Sequence, residues 1–186
     1  KVPIEVEGVT PNAVREMTLA EIEKFTAYHG NREVPLAEFF KVAGDPSDQR
    51  IVFQGDLSGV HWIGAKMQAG EIHVEGSAGR HVGSEIAGGK IHVDGDVGDW
   101  LGGEMQAGLI QVRGSAGHLV GAAYRGSPRG MTGGTILVPG RAGNEVGLSM
   151  RRGLVVIGQA AGDLIGFNML AGSIFVCGEA GIRPGA

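Results

Sequence analysis

Glycine recurs on a fixed period through most of this chain, and that feature limits what it can fold into. Gly70, Gly89, Gly108, Gly134, Gly153 and Gly172 open successive units spaced by 19, 19, 26, 19 and 19 residues. Each unit reads roughly G-x-I-x-V-x-G-x-A-G-x-x-V-G-x-x-M-x-x, as in Gly70-Glu71-Ile72-His73-Val74 and Gly89-Lys90-Ile91-His92-Val93. A looser unit precedes them (Ile51, Phe53, Gly55, Gly64, Met67), and a seventh begins at Gly172. The fourth unit carries seven extra residues, Tyr124-Arg125-Gly126-Ser127-Pro128-Arg129-Gly130. Periods of this length belong to solenoids, whose units bury their apolar faces only by stacking. The I-x-V alternation is that of a strand. Nineteen is not a multiple of six, which excludes a left-handed hexapeptide helix. The expected fold is all-β: a right-handed parallel β-helix of about seven coils, roughly 33 Å long at about 4.8 Å per coil. The glycines are expected at its corners, where positive φ carries no penalty for them.

Composition agrees. There are 35 Gly in 186 residues but only 7 Pro and no every-third-residue pattern, which excludes collagen. Only Gly8, Gly30 and Gly44 precede residue 48, so the chain divides into a cap segment, residues 1–48, and a glycine-rich β-helix, residues 49–186. The cap is expected to be a small α/β unit of a short strand plus helix. Val2 to Glu7 alternate as a strand would, and Thr18-Leu19-Ala20-Glu21 has capping-box spacing. Leu19, Ile22, Phe25, Phe39 and Phe40 are expected to cover the first coil. Ala186 falls midway through a coil and Lys1 is not a start methionine, so the β-helix is expected to be incomplete and the natural N-terminus to lie upstream.

The formal charge of −4 resides in the cap, and the remaining residues are balanced. Such a surface has no electrostatic footprint for nucleic acid or an anionic membrane. Cys177 is the single cysteine, and no apolar run approaches 18 residues. The expected location is the cytoplasm.

Stacked coils turn each position into a column. Ile72/Ile91/Ile110/Ile136/Val155/Ile174 and Val74/Val93/Val112/Val138/Ile157/Val176 are expected to point inward, with Val82/Leu101/Val120/Val146/Ile165 and Met67/Ile86/Met105/Met131/Met150/Met169 beside them. The methionines read as core filling rather than a soft-metal site. On the outward face, Val52/His73/His92/Gln111/Leu137/Val156/Phe175 and Arg50/Glu71/Lys90/Leu109/Thr135/Leu154/Ser173 turn from polar to apolar. Leu109, Leu137, Leu154, Val156 and Phe175 should therefore form an exposed apolar strip, either a partner interface or a surface covered by residues beyond this chain. His73 and His92, with Glu75 and Asp94, read as solvated ladder pairs, because an outward ladder diverges from any common metal. His61, Trp62, His81, Trp100 and His118 gather near a corner, as an interface rim or as corner packing.

No nucleophile elbow, HExxH, CxxC or P-loop is present, and the G-x-x-G runs come from the repeat. No catalytic residue and no metal ligand is assigned. Glu85, Asp99, Glu104, Glu145 and Asp163 are scattered around the rod. β-Helical carbohydrate enzymes use clustered carboxylates on such rods, so a stand-alone enzyme of that class remains an alternative.

The stretch Gly121-Ala122-Ala123-Tyr124-Arg125-Gly126-Ser127, continuing to Gly130-Met131-Thr132-Gly133-Gly134, resembles the distinctive fourth coil of the C-subunit of formylmethanofuran dehydrogenase. Gly98-Asp99-Trp100-Leu101-Gly102, Gly143-Asn144-Glu145-Val146-Gly147 and Met17-Thr18-Leu19-Ala20-Glu21-Ile22 are similar to that family too. The GXGXG β-helix also resembles the C-terminal domain of glutamate synthase, which lacks the tyrosine–arginine insertion.

The resemblance implies a non-catalytic scaffold subunit of a one-carbon enzyme. In one form, a formyltransferase/hydrolase complex of methylotrophic bacteria moves formyl from tetrahydromethanopterin to a methanofuran-type carrier and releases formate. In the other, a tungsten or molybdenum dehydrogenase of methanogens reduces CO2. The implied partners are an amidohydrolase-like zinc subunit, a formyltransferase subunit and a dehydrogenase-like subunit, which would hold the carrier, the pterin and the zinc. A count of 11 Arg against 5 Lys departs from the Lys/Glu-rich habit of hyperthermophiles and leans towards the bacterial form. Tyr124, Arg125, Ser127 and Arg129 are the expected insertion-loop contacts to partner or carrier, with Arg125 and Arg129 pairing carboxylates.

Overall fold

The computed structural model describes residues 2–186. Seven strands form one parallel sheet in a β-solenoid: β4 (Arg50–Gln54), β6 (Glu71–Glu75), β7 (Lys90–Val93), β8 (Leu109–Val112), β9 (Thr135–Val138), β10 (Leu154–Ile157) and β11 (Ser173–Val176). Each pairs with the equivalent strand of the next coil, so Ile72, Ile91, Ile110, Ile136, Val155 and Ile174 stack in register. A second row of parallel bridges joins Leu57, Ala78, Val97 and Ala116 and resumes after the insertion through Ala142, Ala161 and Ala180.

Period-two alternation sends Ile and Val inward, and the core follows the columns. Ile72, Ile91, Ile110, Ile136 and Val155 are fully buried, as are Leu101, Val120 and Val146. Met67, Ile86, Met105, Met131 and Met150 complete the lining, all at 0% exposure. Each such side chain contributes about 1.5–3 kcal/mol when removed from water, so cohesion comes from neighbouring coils.

Two kinds of residue turn the corners. Gly64, Gly83, Gly102 and Gly147 have φ of 60–70°, and a Cβ there would lie 2.4–2.6 Å from Cδ1 of Ile91, Ile110, Ile136 and Ile174 respectively. These glycines supply a left-handed backbone and also the hole into which the next isoleucine fits. The glycines are at corners as expected, and a second column of non-glycine residues shares the left-handed backbone. Trp62, His81, Trp100, Leu119, Glu145, Leu164 and Arg183 have φ of 55–65°. Left-handed backbone costs a non-glycine residue about 1 kcal/mol. Here each N–H from Trp62 to Leu164 donates to a carbonyl of the next coil at 2.8–3.0 Å, which offsets that strain.

The leader joins this rod through β1 (Ile4–Glu5), which pairs in parallel with β5 (Val60–His61) of the first coil. On its other side β1 pairs antiparallel with β2 (Thr26–His29), and β2 with β3 (Arg32–Pro35). Two short helices, α1 (Pro11–Val14) and α2 (Leu19–Glu23), lie between β1 and β2. The capping box at α2 is present: Glu21 N–H donates to Thr18 Oγ1, and Glu21 Oε2 accepts from Thr18 N–H at 2.7 Å. That bond holds the Glu21 carboxyl below its ordinary pKa.

Val6, Val9, Val14, Ile22 and Leu36 merge with the rod's core, and Phe40 meets Phe53 edge-on at 5.9 Å. Leu19 and Phe39 correct the expected cover, being 37% and 38% exposed. A single helical turn buries only Ile22, and the Phe39 ring packs on His29 instead. Both residues line a groove of about 750 Å³ against Ile51, Val52 and Phe53, whose lining also carries Lys41, Asp48, Arg50 and Glu75.

Candidate functional site

Two surfaces carry the residues singled out by sequence: the corner bearing the insertion, and the outward face of the long sheet. At the corner, the column places Trp62, His81 and Trp100 on successive coils. The Trp62 and His81 rings stack at 4.0 Å with planes 4° apart. Tyr124, the first insertion residue, folds back so that its ring lies 4.5 Å from Trp100. Its slot exists because the column beneath is small: Ala65, Ser84, Gly103 and Ala122. A Cβ on Gly103 would stand 3.1 Å from the Tyr124 hydroxyl.

The hydrogen bonds there have one consistent direction. Ser84 Oγ donates to the Trp100 carbonyl at 3.3 Å, and the Tyr124 hydroxyl donates to Ser84 Oγ at 2.6 Å. The phenol oxygen is left to accept from His81 Nδ1–H at 2.9 Å. The Tyr124 N–H donates to Glu104 Oε1 at 3.0 Å. Burial lowers the His81 pKa to about 4, with His61 and Arg80 adding to the effect. Burial raises the Tyr124 phenol to about 12. Neither group titrates near neutrality, so the chain acts as a fixed brace. His118, grouped with these rings by sequence, sits one column away, where its Nδ1 accepts the Asn144 N–H at 2.9 Å.

The depressed His81 pKa has a measurable consequence. Unfolded His81 protonates near pH 6.5 and folded His81 only near 4. The unfolded state therefore binds more protons in that window, and stability is complete above pH 6.5 and falls as pH drops towards 4. Because the ring is only half-buried, solvent screening holds the loss to about 1–2 kcal/mol. His81→Asn keeps a donor in place of Nδ1 and tolerates left-handed backbone. Denaturant titrations of this variant across the window should show roughly half the wild-type decline. An unchanged decline would place the pH dependence elsewhere.

Beyond Tyr124 the loop turns on itself: Ser127 N–H donates to the Tyr124 carbonyl at 2.9 Å and Ser127 Oγ to the Arg129 carbonyl at 3.2 Å. Arg125 and Arg129 are exposed, and neither forms an ion pair among the described residues. Sequence reasoning missed Ser84 and Arg151 and placed Glu104 only among the scattered carboxylates. Ser84 left a signal as the one hydroxyl in its small-residue column.

On the outward face several of the polar side chains pair with one another. His73 Nε2 meets Asp94 at 2.8 Å, Arg113 meets Asp94 at 3.2 Å, and Gln54 donates to Glu75 at 2.8 Å. Among the described residues no group of three or more His, Cys, Asp or Glu is arranged to hold a metal ion. The apolar half is brought together by strand register. Leu109 and Leu154 flank Thr135 in one row, and Leu137, Val156 and Phe175 follow one another in the next. Phe175 is 58% exposed and the four others are half-buried, so the strip is contiguous and uncovered. Val52, at the other end of that row, is exposed and apolar within the polar half. No helix is long and apolar enough to cross a membrane among the described residues.

No protein-family profile matches the chain. Its sequence homologues are the C-subunits of formylmethanofuran dehydrogenases. It is 43% identical over 80 residues to the C-subunit of the molybdenum-containing formylmethanofuran dehydrogenase 1 of Methanothermobacter thermautotrophicus, covering 42% of this chain and 20% of that protein. It is 39% identical over 86 residues to the C-subunit of the tungsten-containing formylmethanofuran dehydrogenase 2 of Methanothermobacter wolfeii, covering 44% of this chain and 32% of that protein. The matched stretch thus spans between 20% and 32% of the length of these relatives. In structure the chain is similar to one from the formyltransferase/hydrolase complex (FhcABCD) of Methylorubrum extorquens, solved in complex with methylofuran. The TM-score is 0.84 at 24% identity, over 98% of this chain and 76% of that one.

Proposed function

We propose that this chain is a scaffold subunit, without an active site of its own, of a cytoplasmic formyltransferase/hydrolase-type complex in one-carbon metabolism. The observation that carries the reading is the strip Leu109, Leu137, Leu154, Val156 and Phe175, brought together by strand register on the outward sheet face. An apolar strip of this kind on a rigid β-rod suits a permanent contact between subunits. The similarity to the formyltransferase/hydrolase complex over 98% of the chain supports the choice of assembly. In this reading a zinc amidohydrolase-like subunit and a formyltransferase subunit hold the methanofuran-type carrier, the tetrahydromethanopterin and the metal, with a dehydrogenase-like subunit beside them. The rod fixes their separation. A second reading, the C-subunit of a tungsten or molybdenum formylmethanofuran dehydrogenase, is favoured by the sequence relatives.

The test is purification from the native host through a tag on this chain, with co-eluting subunits identified by mass spectrometry. Formyltransferase and amidohydrolase-like subunits in fixed ratio support the first reading; a redox-metal subunit with iron–sulfur proteins selects the second. In the same experiment Leu137→Asp/Val156→Asp should reduce recovered partners about 30-fold, or roughly 2 kcal/mol. Leu137 and Val156 are half-buried partners on adjacent strands, so two facing carboxylates should cost the isolated variant about 1–2 kcal/mol, and its far-UV circular dichroism should still be that of the folded wild type. Full recovery of partners by this variant would rule the strip out as the interface.

A further inference from the structure

The insertion is held at both ends, and only one brace comes from the insertion itself. At its start is Tyr124, bonded to Ser84 and His81. At its end is Arg151, a residue of the following coil. Arg151 Nη2 reaches into the far half of the loop, where it donates to the Pro128 carbonyl at 2.7 Å. Its Nη1 donates to the carbonyls of Ser149 at 2.8 Å, Met150 at 3.2 Å and Asn168 at 3.0 Å. One guanidinium therefore joins the insertion, its own coil and the coil beyond. Charge-assisted bonds to several carbonyls from a planar fork are more than a lysine ammonium can reproduce.

Between these braces stand Arg125 and Arg129, both exposed and both without an acidic partner among the described residues. Left mobile, two long cations would lose much of any binding energy to ordering. Held on a braced loop they form a prepared cationic surface, whose charge complement is a carboxylate-bearing segment of a partner subunit. Resting on the scaffold reading above, we infer that Arg151 is the positioning residue of the insertion loop, ordering it so that Arg125 and Arg129 dock an acidic segment of a partner protein.

The test compares three full-length variants, Arg151→Lys, Arg151→Gln and Arg125→Gln/Arg129→Gln, by two readouts. The first is amide hydrogen exchange over residues 125–130. Both Arg151 variants should speed it at least about tenfold while β7 and β8 stay protected; the loop double variant should leave the Ser127 amide protected. The second is the NaCl concentration at which the co-purified partner subunits leave the immobilised chain. All three variants should release them at lower salt, and only Arg125→Gln/Arg129→Gln should also flatten the salt dependence, because it alone removes the pairing charges. Unchanged loop exchange in Arg151→Lys overturns the clamp. Faster exchange with unchanged partner retention overturns the docking role. Unaltered retention by Arg125→Gln/Arg129→Gln overturns the acidic partner. Failure of the scaffold reading would show separately, as no defined partner set on the wild-type chain.

Discussion

Ile110→Ala should cost the isolated chain about 4 kcal/mol, read as a fall in the urea midpoint. Ile110 is fully buried in a central coil, between Ile91 and Ile136 of the neighbouring strands. Its Cδ1 occupies the space that a side chain on Gly83 would need, at 2.4 Å from the position of that absent Cβ. Truncation to Ala removes the carbons that fill this hole. The flanking strands are fixed by inter-coil hydrogen bonds on both sides, so the cavity cannot collapse, which puts the loss in the upper half of the range of about 2–5 kcal/mol. Ile110→Val, which leaves most of the volume, should cost about 1 kcal/mol. Because coils hold each other only through neighbours, Ile110→Ala should also broaden the transition as the halves of the rod begin to unfold separately. A loss below about 1 kcal/mol would mean that the column is not packed as described.

The second large effect is expected at Gly130, where the insertion rejoins its coil. A Cβ there would lie 2.5 Å from the Leu148 carbonyl oxygen and 2.9 Å from both the Ala123 nitrogen and the Gly121 carbonyl oxygen. All three are backbone atoms, so no rotamer relieves the clash. Two inter-coil bonds also cross this point, Gly130 N–H to Ser149 at 2.9 Å and Ala123 N–H to Leu148 at 3.0 Å. Gly130→Ala should therefore cost about 3 kcal/mol or more and loosen the loop from the rod. Gly126→Ala is the matched control: no atom lies within 4 Å of its Cβ position, and only its φ of +85° is strained. That variant should lose about 1 kcal/mol. Equal losses at the two positions would show that backbone crowding is not what demands glycine at 130.

The period and the inward columns were legible because a solenoid states each position several times over. One isoleucine proves little, but Ile72, Ile91, Ile110 and Ile136 at matching places in successive units define a wall. The methionine column was readable as core for the same reason, and the capping box at Thr18 and Glu21 because its chemistry is local. Single events were harder. Tyr124 was legible as the start of an insertion but not as a brace, since its partners Ser84 and His81 lie two coils back in the chain. Arg151 was missed because its acceptors are main-chain carbonyls, which no residue pattern marks. The left-handed Trp62, His81 and Trp100 could not be read from side-chain identity, because inter-coil backbone bonds set that conformation. Leu19 and Phe39 looked like cover because both are apolar, whereas a five-residue helix and a 3-10 turn each bury one face only.

The central claim is that the apolar strip on the outward sheet face seats a partner subunit. It is tested most directly by determining the structure of the assembly purified natively through this chain. The account predicts another subunit lying over Leu109, Leu137, Leu154, Val156 and Phe175, with these side chains buried and the His73–Asp94–Arg113 cluster towards the edge of the contact. An assembly in which that strip faces solvent, or a chain that purifies alone with the strip bare, would contradict it.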